Sequence, residues 1–153
     1  MISRQQLIQL AEDAQQAIPE IKRVETVVTA EELAKLLNDH SEEQNILMLC
    51  LWPYKKMTGA EDRAMWSNTM GFFFLTKTDY SEFDREGLLQ IFDSTELTAK
   101  RFVEKLLSDK ADNASIFCNA LSFLDENSIS VDPVKALNGC NGHYVEFTLK
   151  TRA

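Results

Sequence analysis

The sequence predicts a single α+β domain over residues 1–153, with a mixed or antiparallel sheet packed against about three helices. Three observations carry that prediction. The 153 residues are 44% hydrophobic and 26% charged, which suits one compact domain better than a disordered chain or a tandem array. Apolar residues recur at helical spacing in three separate stretches. Two short segments read as strands covered on both faces: Ile46–Trp52, which has no polar side to offer water, and Thr69–Thr76, which carries three adjacent phenylalanines.

The first helix follows Ser3, which with Gln6 matches a capping box. Leu7, Leu10, Ala11, Ala14 and Ile18 then share one side, and Pro19 ends or bends the helix. Residues Ile21–Val28 contain β-branched side chains and suit a short strand. A second helix starts at Thr29. Thr29 and Glu32 form a capping box, Val28 and Leu33 a hydrophobic staple, and Leu33, Leu36 and Leu37 an apolar face. The polar series Asn38–Asn45 suggests a solvated connection, and the apolar run from Ile46 a central strand.

Pro53–Arg63, with proline, glycine and a high charge density, reads as a surface loop. The three phenylalanines Phe72, Phe73 and Phe74 cannot all point to one face of a strand, so both faces need cover. Asp79–Gly87 suits a connecting loop or short helix anchored by Tyr80 and Phe83. A third helix is marked from about Thr95, with Asp93 or Ser94 as its cap and Ala99, Phe102, Val103, Leu106 and Leu107 as its inward stripe. Asp109–Ser115 interrupts that pattern. Ile116–Leu124 satisfies both a helical and a strand pattern, with the strand favoured. Asp125–Gly142 is rich in turn formers, and Asn141-Gly142 can form a tight hairpin turn. In the last segment Val145, Phe147 and Leu149 alternate with Glu146, Thr148 and Lys150, the mark of a half-buried strand.

Charge and composition narrow the function classes. Sixteen basic against 24 acidic residues give a formal charge of −8, which argues against a broadly basic nucleic-acid surface. The longest apolar run, Ile46–Pro53, is far shorter than the roughly 20 residues of a membrane helix. The opening residues lack the apolar core of a secretory signal, and Cys50, Cys118 and Cys140 are an odd number at wide spacing. The expected location is therefore a reducing cytoplasm. The Asn113-Ala114-Ser115 sequon is then incidental.

No residue pattern specifies a reaction. Cys140 and His143 have the chemistry of metal ligands, but the set is incomplete; a turn cysteine beside a solvent-facing histidine is the plain reading. His40, among acidic neighbours, reads as a helix C-terminal or solvated residue, and Cys50 and Cys118 as packing residues. Asp79, Glu82, Asp84 and Glu86 form the densest acidic group but lack the order of a calcium loop. No glycine lies in a phosphate-binding loop motif. Lys55 and Lys56 beside Trp52 and Tyr54 form only a small basic-aromatic patch. No catalytic residue, metal or cofactor is assigned.

The order of elements, closing on Gly139-Cys140-Asn141-Gly142-His143-Tyr144-Val145-Glu146-Phe147, resembles the small tail-terminator or tail-completion proteins of bacteriophages and prophages. The resemblance extends over most of the chain at the level of elements. It implies a structural α+β protomer that self-associates into a ring at the end of a tail tube, with a place in a phage-like particle after intracellular assembly. The expected function is a non-enzymatic interaction or assembly protein whose partners are proteins, including copies of itself. Trp52, Tyr54, Trp66, Phe72, Phe74 and Tyr144 are its candidate interface residues, since large aromatics dominate interfaces. A small intracellular enzyme or a ligand-binding regulatory domain is the alternative.

Overall fold

The computed structural model describes residues 1–112 and 121–153. In chain order they form α1 (Arg4–Ala17), β1 (Arg23–Val27), α2 (Ala30–Asp39), β2 (Leu47–Leu51), β3 (Tyr54–Thr58), β4 (Met65–Lys77), α3 (Arg85–Asp112), β5 (Leu124–Leu137) and β6 (Cys140–Arg152). The strands make one six-stranded sheet in the order β1-β2-β4-β6-β5, with β3 also on β4. β1 and β2 run parallel, joined through α2, and every other pairing is antiparallel. This is the expected single α+β domain with a mixed sheet and three helices. No described helix is long and apolar enough to cross a membrane.

Alternation along the strands divides the core into two layers. On one face Met48, Cys50, Met70, Phe72, Phe74, Val145, Phe147 and Leu149 meet Leu7, Leu10 and Ala14 of α1 and Ala99, Phe102 and Leu106 of α3. The Phe102 ring lies 4.9 Å from Phe72 and 5.3 Å from Phe74, spacings at which aromatic rings attract. On the other face Val27, Leu47, Leu49, Leu75 and Cys140 pack with Leu37 of α2. Asn68 is buried on the α1 and α3 side of the sheet and ties the N-terminal segment to it: its Oδ1 accepts from Ile2 N (3.0 Å) and its Nδ2 donates to Leu149 O (2.8 Å).

The helix starts at Ser3 and Thr29 follow their sequence signals. Ser3 and Gln6 exchange both capping-box hydrogen bonds. Thr29 accepts from Glu32 N (3.2 Å), but the Glu32 carboxylate reaches one residue further back than in a standard box, to Val28 N (2.9 Å). α3 begins at Arg85, ten residues before the Thr95 start that its pattern suggests. The Asp84 carboxylate accepts from Gly87 N (2.8 Å) and so does the capping. Thr95 and Thr98 lie inside the helix with their hydroxyls donating to the carbonyls of Ile91 (2.9 Å) and Ser94 (3.0 Å), so Thr95 is an interior residue rather than a start.

Three polar stretches depart from expectation. Pro53–Arg63 is not all loop: β2 and β3 together run antiparallel along β4, and the step from Cys50↔Phe72 to Tyr54↔Thr69 spends one extra residue at the Pro53 break. Asp125–Leu137 is strand rather than turn, because irregular register between Asp125 and Ser130 absorbs Asn127 and Ser128. There the Ser128 hydroxyl accepts from Thr148 N at 2.7 Å. The hairpin turn is Asn138-Gly139, with φ of 48° and 77°, and not Asn141-Gly142. Asn141 is instead buried, its side chain bonding Ala136 N (2.9 Å) and Thr78 Oγ1 (3.1 Å). Most of Ile116–Leu124 lies outside the described residues; Leu121–Phe123 form a single 3₁₀ turn.

Candidate functional site

The six aromatic residues expected at an interface do not form one patch. Phe72 and Phe74 are fully buried beneath α3 and unavailable to a partner, because the alternation that removes Phe73 from their face turns both of them into the core. Trp66 and Tyr144 are half-buried on opposite faces of the sheet. Tyr144 packs on Phe73 with ring centroids 4.7 Å apart and donates to Glu146 Oε2 (2.9 Å). Burial, then that carboxylate, keeps its phenol protonated well above the ordinary range. Trp52 and Tyr54, at 39% and 70% exposure, are the two that face solvent. Lys55 Nζ sits 5.5 Å from the Trp52 ring centroid, so a cation already occupies one face of that ring.

Among the described residues the groups capable of chemistry are dispersed. Cys140 joins the α2-side core, whereas His143 points to the α3 side with Nδ1 2.9 Å from Thr95 Oγ1, so the two cannot grip one ion. Among the described residues no group of three metal-ligating side chains converges. Burial raises both described thiols, Cys50 to about 12, which keeps them protonated and poorly nucleophilic near neutrality. His40 is buried, not solvated. Its Nε2 donates to Asn45 Oδ1 (2.9 Å), which also accepts from Lys77 N (2.9 Å), and its Nδ1 has no partner among the described residues. In the acidic group, Asp79 binds the Ser81 amide (2.9 Å) and Asp84 caps α3, both local structural tasks.

The surface feature that Trp52 does belong to is a groove of about 770 Å³ along the outer edge of β1. β1 forms its floor, α1 one wall and α2 the other, with Ile8, Val24, Leu36 and Trp52 as apolar lining. At its rim Val28 is 62% exposed. β1 pairs with β2 alone, so its other edge has no strand beside it among the described residues. Trp52 N donates to Val27 O (2.9 Å), extending the β1–β2 ladder. Since backbone groups alternate sides along a strand, the amides and carbonyls of Val24 and Thr26 turn outward into the groove. Arg23 and Glu25, on the α2 side of β1, pair at 3.0 Å.

β3 too has a single partner, β4, and β5, at the far end of the strand order, is built differently from β1. β5 carries Pro133, two register irregularities and the charges of Asp125, Glu126, Asp132 and Lys135, devices that blunt an edge against strand addition. β1 has an unbroken register and no proline. A strand held between two helices, with its hydrogen-bonding edge open and apolar side chains beside it, can accept another extended segment by backbone pairing. Sequence reasoning missed this site. The available signal was the β1-α2-β2 order, which makes a parallel pair and leaves β1 outermost unless a later strand covers it.

No protein-family model and none of the curated proteins matches the chain.

Proposed function

We propose that the protein is a non-enzymatic interaction or assembly protein that joins other chains at the open edge of β1. The observation that carries this reading is the contrast between β1 and β5, the strands at the two ends of the sheet order: β5 is blunted, while β1 lies open in a helix-walled groove with Trp52 at its margin. Support over a small enzyme comes from the histidines and the described thiols, which are buried and packed in places that leave no converging set of reactive groups. In the form that the likeness to phage tail-terminator proteins implies, the chain is a tail protomer that self-associates.

Light scattering coupled to size-exclusion chromatography, over at least a tenfold range of protein concentration, tests the reading. A defined oligomer is the expected result, and one of ring size favours the tail-protomer form. A monomer at every concentration overturns self-association.

A further inference from the structure

We infer that the occupant of the β1 edge is β1 of a second copy, paired antiparallel about a two-fold axis through Val24; this rests on the assembly reading above. The argument is one of backbone direction and charge. Val24 turns its N–H and C=O outward, so Val24 facing Val24 of the other copy makes a pair that exchanges both hydrogen bonds. The flanking positions are then Arg23 opposite Glu25 of the other copy, twice, at the non-hydrogen-bonded spacing where side chains are closest. Each Arg23 already pairs with its own Glu25 at 3.0 Å, and the dimer closes these charges into a ring of alternating sign.

Neighbouring registers lack this match. Centring on Glu25 sets two carboxylates against each other, and centring on Thr26 sets Glu25 against Val27 and leaves both charges of the pair without an opposite partner. Symmetry also helps on the α1 wall of the groove. Arg4, Ile8 and Glu12 line it at four-residue intervals, and the same two-fold runs α1 antiparallel to its copy, with the Arg4 end of one toward the Glu12 end of the other. A surface that complements itself under a two-fold is what an isologous dimer requires.

The test uses the full chain and the charge variants Arg23→Glu, Glu25→Arg and the double swap, compared by light scattering across the same concentration range. The wild type is expected at twice the 17.4 kDa chain mass, or a multiple of it. Each single reversal places like charges opposite one another and weakens association by about tenfold or more, and the swap restores it to within a few-fold. Circular dichroism melting of each variant separates loss of association from loss of fold. Hydrogen exchange on the wild type needs no variant: the Val24 and Thr26 amides gain protection as concentration rises. A wild-type oligomer indifferent to both reversals, or one whose β1 amides exchange equally at all concentrations, overturns the β1–β1 interface while self-assembly through another surface stands. A monomer throughout overturns self-association altogether, this interface included, and leaves the edge to an unrelated chain.

Discussion

Gly142 shows how close the backbones come within the sheet. A Cβ added there meets the carbonyl oxygen of Phe74, a backbone atom with nowhere to move, so Gly142→Ala is expected to cost about 3 kcal/mol, read as a lower urea midpoint at unchanged slope. Gly139 is needed for a different reason: its φ of 77° belongs to the hairpin turn. The two histidines set a pH response. Burial lowers both His40 and His143, with Arg23 and Lys77 adding to the effect at His40 and Asn45 opposing it, and with Glu96 opposing it at His143. An unfolded chain therefore takes up protons below about pH 6.5 that the folded one refuses, so stability is full above that pH and falls as the medium is acidified. Urea midpoints should drop between about pH 7 and about pH 5, and a flat profile over that range contradicts the assigned burial.

At the scale of elements, α3 is the main cover of the sheet, and Phe102 is its anchor on Phe72 and Phe74. Phe102→Ala removes a fully buried ring and is expected to destabilise by about 3–5 kcal/mol in chemical denaturation. The inward stripe of this helix was legible, because periodicity is a local property: Ala99, Phe102 and Leu106 are buried where the spacing places them. Its start was not. The pattern offered Thr95, and only the His143 and Ile91 contacts of that threonine show it to be an interior residue. β5 failed for a related reason. Asn127, Ser128 and Pro133 are turn formers by themselves, and become part of an edge strand because β6 supplies a ladder that tolerates an irregular register. The strand of the final segment was legible, since Val145, Phe147 and Leu149 alternate with polar residues and are buried as alternation requires.

For the molecule as a whole, the consequence of this architecture is an asymmetric sheet, blunted at β5 and open at β1. Trp52 separates the fold from its use. With 39% of its surface exposed at the margin of the groove, Trp52→Ala is expected to shift stability by no more than about 1 kcal/mol while weakening association several-fold. Thermal melting and light scattering on the same sample check the two halves of that prediction, and a large loss of stability with unchanged association assigns the ring to the fold instead. Six aromatics looked alike as interface residues, yet the fold buries Phe72 and Phe74, divides Trp66 from Tyr144 across the sheet, and exposes Trp52 and Tyr54. The amino-acid order alone was enough for the α+β class, the caps at Ser3 and Thr29, the apolar faces of the helices and the alternation of the last strand. Each of these is written in residues a few positions apart, where side-chain spacing and capping chemistry act. Which Asn-Gly pair turns, where α3 begins, which aromatics reach solvent and which sheet edge stays open were decided by tertiary structure. Those features depend on partners such as Asn68 and Leu149, 81 residues apart, and no local pattern says which distant backbone will come to lie alongside.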